Sequence, residues 1–506
     1  MASRYTSVWA ATAQLPTYSP LPSDTSTDVC IVGAGISGLT TAYLLTQVGK
    51  SVVVLDDGAI GSGMTGVTTA HLVNALDDRF FDLERLHGER GARLAAESHT
   101  AAIDRIENIV ARERINCDFI RLDGYLFCAP EHDEAYIDRE LAAAHRAGLH
   151  HVSKVPRAPL AFNTGPCLRF PSQGQFHPLK YLAGVAQAIE RAGGRIYSGT
   201  HATSINGGSD AAVETKTGAV RAKHVVVATN TPVNNLVAIH TKQAPYMTYV
   251  IGVKVPRNAV TTALYWDTGD PYHYIRLHQL DATHDLLIVG GEDHKSGQAD
   301  DIEQRHPRLE QWTRERFPSI GEVAYRWAGQ VMEPVDSLAF IGRNPLDSEN
   351  VYTVTGDSGN GMTHGTIAGM LITDLILGRH NAWASLYDPG RVTLRASGEF
   401  AREAVNMAAQ YADHLTGGDV DTVEQIAKDS GAVVRRGAVK IAAYRDATGA
   451  LHERSAICPH LGCVVAWNSA EKTWDCPCHG SRFDKFGTVI NGPANVGLTR
   501  VTPESH

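Results

Sequence analysis

The residues of this 506-residue chain best suited to chemistry stand near its end, in CPHLGC at 458–463 and CPCHGS at 476–481. Cys458 and His460 form a C-x-H pair, and Cys476 and His479 form a C-x-x-H pair. Two short loops thus each offer one thiolate and one imidazole. That set suits a [2Fe–2S] cluster with both cysteines on one iron and both histidines on the other, because anionic sulfur and imidazole ligate sulfide-bridged iron well. A Cys/His zinc site is the alternative, although zinc ribbons lack this C-x-H/C-x-x-H asymmetry. The remaining cysteines outside this stretch, Cys30, Cys117, Cys128 and Cys167, are isolated and read as small apolar core residues.

A second chemical feature lies near the start, in DVCIVGAGISGLTTAYLLTQVGKSVVVLDD at 28–57. An apolar run suited to a buried parallel strand is followed by glycines, a helical stretch and a second apolar strand. Gly33 permits a tight turn, Gly35 lets backbone N–H groups approach a pyrophosphate at a helix N-terminus, and Gly38 allows close helix–strand packing. Asp56, 23 residues after Gly33, can accept from both ribose hydroxyls and would repel a 2′-phosphate. A glycine-containing turn of any α/β protein is the bland alternative, but strand, glycines, helix, strand and acid all occur in register.

Here the chain resembles the D-amino-acid-oxidase superfamily, and three later segments extend the resemblance. GSGMTGVTTAHL at 61–72 resembles the loop beside the flavin and brings in Thr65, Thr68 and Thr69. AKHVVVATNTP at 222–232 resembles a strand and turn near FAD, with Asn230 where glycine is common. VYTVTGDSGNGMTHG at 351–365 repeats the strand–glycine–helix order, with Gly356, Gly359, Asn360, Gly361 and Met362. In the family this helix points its positive end at the flavin pyrimidine edge. The resemblance implies FAD rather than NAD. It also implies a substrate carboxylate held by an Arg–Tyr set, for which Arg276, Tyr274 and Tyr249 are the candidates, with His294 as a further wall residue. A packed surface Arg and a satisfied structural His are the alternatives at those positions.

The 458–481 stretch closely resembles Rieske proteins of the cytochrome bc type. The resemblance makes Cys463 and Cys478 a disulfide clamping the ligand loops, and makes Gly492–Ala494 the proline loop covering the cluster. Ser481 matches the serine that donates to a bridging sulfide. Phe483 replaces the family's tyrosine, so one donor to a cysteine sulfur is missing, and the potential is expected in the lower half of roughly −150 to +300 mV.

The elements that must position these residues imply an α/β Rossmann-type FAD domain with an interleaved α+β substrate domain, plus a small all-β C-terminal domain. The expected division is an extension over 1–27, an oxidoreductase over 28–390, a helical linker over 391–416 and a Rieske unit over 417–506. FAD-binding segments are expected at about 28–110, 165–240 and 326–390, and substrate segments at about 111–164 and 241–325. Hydrophobic residues make up 43% and charged residues 20%, which fits folded globular domains. The net charge of −9, with no basic run, argues against nucleic acid. No stretch has the apolar length of a membrane span or secretory core, so the cytoplasm is the default expectation.

Together these features predict a dehydrogenase that oxidises an amine or amino-acid-like substrate and passes electrons singly to an external acceptor, a protein or a quinone. A non-catalytic electron carrier or redox sensor is one alternative. A Rieske oxygenase is another, but it needs a mononuclear iron site. His145 and His150 are five apart, but Gly148 is expected to end their helix, and no catalytic domain is expected after the Rieske unit.

Overall fold

The computed structural model describes residues 6–501 except 234–238, 240, 319 and 346. Its first sheet has eight strands, and its main path runs Phe340–Arg343, Val351–Thr355, Ala219–Val227, Thr25–Val32, Val52–Leu55 and Arg195–Tyr197. From Val351–Thr355 to Arg195–Tyr197 the neighbours pair in parallel. The valine-rich centre has a simple cause: Val29–Val32 and Val52–Leu55 are buried on both faces, so alternation with polar residues is lost. Helices Ile36–Gln47 and Gly361–Ile376 each follow a central strand. They cross at small residues. A Cβ at Gly365 would stand 2.6 Å from the Ile36 side chain, and one at Gly369 would stand 2.6 Å from Thr40.

The second sheet has nine strands: its main path runs Val323–Pro334, Gln243–Pro256, His284–Lys295, Tyr274–Gln279, Leu264–Asp267, Ile120–Phe127, Cys167–Gln175 and His71–Leu72, and Ser153–Val155 pairs with Cys167–Gln175 off that path. It reaches beyond the expected substrate segments. His71–Leu72, Cys167–Gln175 and nearly all of Val323–Pro334 belong to it because they pair with its strands, a long-range choice that local pattern does not encode.

Helix Ser397–Tyr411 joins this body to the C-terminal domain and has no buried residue, as a connector requires. Lys295 ties it down, donating to both Glu403 oxygens at 2.5 and 2.7 Å. The C-terminal domain is two antiparallel sheets. One comprises Ser430–Arg436, Val439–Arg445 and Leu451–Ser455, and the other Ala466–Asn468, Thr473–Asp475, Arg482–Asp484 and Val489–Asn491. Their shared core includes Trp474, Phe483 and all four cysteines of the metal motif.

Candidate functional site

A cavity of about 570 Å³ opens between the first two sheets. One end is the glycine turn. Gly33 adopts φ 108°, and a Cβ there would lie 2.3 Å from the Ala228 carbonyl oxygen, so the strand ends can close only over glycine. Gly35 caps the helix Ile36–Gln47 and lines the cavity. Gly38 does not line it: its Cβ would sit 1.9 Å from the Gly33 oxygen, which is the packing role its spacing implies. Asp56 faces the cavity, held by the N–H groups of Ala34 at 2.6 Å and Gly58 at 2.8 Å. Burial raises its carboxyl above the usual range.

The lining also includes Thr65, Thr68 and Thr69, and Gly359, Asn360, Gly361 and Met362 at the start of the second helix. Gly356 lies outside it, in a turn at φ 71° against Pro334 and Gln243. Asn230 takes φ 64°, one of the few positions where asparagine substitutes for glycine in left-handed backbone. The cradle fits FAD. Two helix N-termini and the Asp56 carboxyl line one space, and a Cβ at Gly33 is excluded by backbone.

The substrate expectations divide. Tyr274 lines the cavity and bonds Thr248 Oγ1 at 2.7 Å. Tyr249 does not: Thr248 and Val250 on its strand face the cavity, so alternation turns Tyr249 into the opposite core, where its hydroxyl meets His294 Nε2 at 3.0 Å. His294 is thereby structural, its Nδ1 bonded to the Lys295 carbonyl. Arg276 corrects the carboxylate expectation. It is 1% exposed, absent from the lining, and donates to the carbonyls of Thr69 and Ala70 at 2.9 Å and Phe176 at 3.2 Å. Its guanidinium braces the loop beside the flavin cradle and faces no substrate. Residues missed by sequence reasoning are Asp77, Tyr272, Asp293, Gln330 and Glu333, all lining the cavity. Their partners are remote in sequence; only the acids of LDD at 76–78 and GGED at 290–293 gave a local sign.

In the C-terminal domain the two ligand loops are conformational twins. Cys458 N–H donates to Cys463 O at 2.8 Å and Gly462 N–H to Cys458 O at 3.0 Å. Cys476 N–H donates to Ser481 O at 2.8 Å and Gly480 N–H to Cys476 O at 3.1 Å. Gly462 and Gly480 turn each loop at φ 82° and 80°. The Cys463–Cys478 disulfide joins the loops. The Cys463, Cys476 and Cys478 sulfurs lie within 4.8 Å of one another, but the bonded pair offers no thiolate, which leaves Cys476 to act with Cys458. The Cys476 thiol beside it holds Cys458 down to about 7. His460 and His479 set their rings 5.0 Å apart at 87°, and burial lowers both to about 4, so they are neutral and able to ligate. This donor set fits the [2Fe–2S] cluster. Ser481 Oγ accepts from Ala494 N at 3.0 Å, tying the proline loop to the second ligand loop.

The two sites adjoin. The cavity is lined at one side by Val489–Gly492, Ala494 and Asn495 of the C-terminal domain. Gln330, 3% exposed, also lines it and donates from Nε2 to the Gly480 carbonyl at 2.9 Å while Oε1 accepts from Asn491 Nδ2 at 2.9 Å. Its backbone N–H meets the Met64 sulfur at 3.1 Å. His201 bonds the Asn495 carbonyl at 3.0 Å, closing the opposite rim. Of the histidines considered for a mononuclear iron, His145 bonds the Val152 carbonyl at 2.8 Å.

Residues 28–375 match the family described as FAD dependent oxidoreductase, and residues 418–502 match the Rieske [2Fe-2S] domain. The Bacillus subtilis protein named as Rieske 2Fe-2S iron-sulfur protein YhfW is 32% identical over 500 residues, 97% of each chain. The gamma-glutamylputrescine oxidoreductase of Escherichia coli is 29% identical over 415 residues, covering 78% of this chain and 96% of that one. The structure of glycine oxidase from Geobacillus kaustophilus shares the fold at a TM-score of 0.62 and 19% identity, covering 72% of this chain and 99% of that one. With its cavity, glycine cradle and twin ligand loops in place, the chain belongs to the FAD dependent oxidoreductase family, and it carries a Rieske [2Fe-2S] domain at its C-terminal end.

Proposed function

We propose that this protein is an amine dehydrogenase: it oxidises a C–N bond of a small amine at the flavin cavity and delivers the electrons singly, by way of the cluster, to an external one-electron acceptor. Bound FAD supplies two-electron hydride acceptance, and a bound cluster supplies one-electron transfer. The observation that carries the reading is Gln330. One buried amide forms part of the cavity wall and is hydrogen-bonded to the loop of Cys476 and His479. The names of the relatives support a nitrogen-bearing substrate, since one acts on gamma-glutamylputrescine and a fold neighbour on glycine.

The chain's own residues then divide the work. Gly33, Gly35, Asp56 and the backbone of the 359–362 turn would hold FAD. Tyr272, Tyr274 and Trp266 would wall the substrate end, and Val489–Gly492, Ala494 and Asn495 of the C-terminal domain complete the cavity wall. Among the described residues no helix is long and apolar enough to cross a membrane.

His460→Ala and Cys458→Ala test the route. Each should lose the cluster while keeping FAD, because the flavin cradle has its own core. Anaerobic bleaching of the flavin by substrate should persist at near the parent rate, and turnover with the one-electron acceptor should collapse. Surviving turnover would make the Rieske domain structural or regulatory. Absence of bleaching by every amine in a panel would favour a carrier or redox sensor.

A further inference from the structure

We infer that the substrate end of the cavity selects a cationic amine that carries no carboxylate, with Asp77, Asp293 and Glu333 as its charge partners. This rests on the amine dehydrogenase reading and narrows its substrate class. The charge of the lining is one-sided. Its acids are Asp56 and Asp57 at the ribose end and Asp77, Asp293, Glu333 and Asp357 at the other. Among the described lining residues there is no Lys or Arg. A carboxylate-bearing substrate would meet buried carboxyl groups with no Lys or Arg in the lining to receive it, which is strongly unfavourable.

Two guanidiniums act on these acids from outside the lining, and each makes its hydrogen bonds to other groups. Arg79 donates to the carbonyls of Leu76 at 3.3 Å and Asp267 at 3.2 Å, and it partly offsets Asp77. Arg305 donates to Asp301 Oδ1 at 2.7 Å and to the Glu292 carbonyl at 3.2 Å, and it partly offsets Asp293. His71, which also lines the cavity, is held neutral by burial, down at about 3. Among the described residues no Lys or Arg lines this end to pair the carboxylates directly.

Several buried acceptor oxygens of the lining residues lack donors, although Glu333 Oε2 accepts from Ser358 Oγ at 2.6 Å. Asn360 is 5% exposed, lines the cavity, and its Oδ1 has no hydrogen-bond partner among the described residues, while its Nδ2 donates to Ser358 O at 2.9 Å. Asp293 Oδ1 and Asp357 Oδ1 are likewise buried without a partner. These oxygens need N–H donors, which an alkylammonium carries and a carboxylate does not. Aromatic walls complete a cation's surroundings: the Tyr272 and Tyr274 rings stand 5.3 Å apart beside Trp266, and the Tyr272 hydroxyl donates to Asp77 at 3.0 Å. Burial pushes the Asp77 and Asp293 carboxyls up to about 6 and about 7, and Asp77 adds repulsion at Asp293. A bound cation relieves both.

A three-member series of equal chain length tests this in the full holoprotein: 1,4-diaminobutane, 4-aminobutanoate and butanoate. With protein held anaerobically in dithionite, no turnover occurs and calorimetry reads binding alone. The diamine should bind at least about tenfold more tightly than 4-aminobutanoate, and butanoate should give no saturable heat. Asp293→Asn and Glu333→Gln should each weaken the diamine by about thirtyfold or more, the usual consequence of removing one buried charge partner. Their FAD content should stay at the parent level. Equal or tighter binding of 4-aminobutanoate or butanoate would overturn the inference, as would unchanged diamine affinity in both variants. Should a variant lose FAD, the series on the parent protein still decides. Failure of the dehydrogenase reading has a different signature: the diamine binds, yet no amine bleaches the oxidised flavin.

Discussion

Arg276 shows how a residue type suited to one task is consumed by another. Its guanidinium satisfies buried carbonyls of Thr69, Ala70 and Phe176, and burial lowers it to about 9. Arg276→Leu should therefore cost stability, roughly 1–3 kcal/mol for each carbonyl left bare, and loosen FAD, without a selective rise in KM for carboxylate substrates. Thermal melting and flavin content check it. Asp293 sets a pH dependence. Its carboxyl ordinarily titrates near 3.8 and is raised to about 7 by burial, so between those values the unfolded chain releases a proton that the folded chain keeps. The contribution of this group to stability is full below about 3.8 and falls as pH rises towards about 7. Asp293→Asn should flatten that slope in melts run from about pH 4 to 8. At the cluster, Phe483 is fully buried among the cysteines. Phe483→Tyr should raise the reduction potential and Ser481→Ala should lower it, because hydrogen bonds to sulfur favour the electron-rich reduced state. Voltammetry reads both, and no change in either variant would separate this loop from the cluster.

At the scale of the element, the glycine turn and the twin loops use the same physics: a tight turn aims backbone N–H groups inward. Gly35→Val should place a branched side chain in the flavin cradle, where even a Cβ stands 3.1 Å from Thr65 Oγ1. The purified variant should show the cluster spectrum with little FAD. Full FAD content would refute the role of this turn. Strand alternation works equally directly. Thr248 and Val250 reach the cavity and Tyr249 cannot, so Tyr249→Phe should leave substrate binding unchanged and remove only the bond to His294.

For the molecule as a whole, the decisive feature is how the Rieske domain seats on the second sheet. Gly480 fits so closely that a Cβ would lie 2.6 Å from Pro245 and 2.8 Å from Gln330 Nε2. Gln298 adds a bond to the Pro477 carbonyl at 3.2 Å. The ligand loop of His479 is thus pinned to the wall of the flavin cavity. Gln330→Leu keeps the volume but removes both cross-domain hydrogen bonds. Stopped-flow should find substrate bleaching of FAD near the parent rate and slower reduction of the cluster. Equal rates for both steps would show that seating at Gln330 does not govern transfer.

What the sequence determined by itself is what chemistry demands at short range. Cys458, His460, Cys476 and His479 declare a cluster because ligand type and spacing are local, and Gly33, Gly35 and Asp56 declare a nucleotide cradle because strand, turn and helix are contiguous. Only the tertiary structure decided which side chains share a space. Asp77, Tyr272, Asp293 and Glu333 come from separate segments and become neighbours when the second sheet closes. Arg276 sits two residues from Tyr274 on one strand, yet one faces the cavity and the other is buried under backbone carbonyls. Charge is readable from composition, but whether a charge faces a ligand, a partner or a carbonyl depends on which strands pair, and that pairing is fixed by burial over the whole chain.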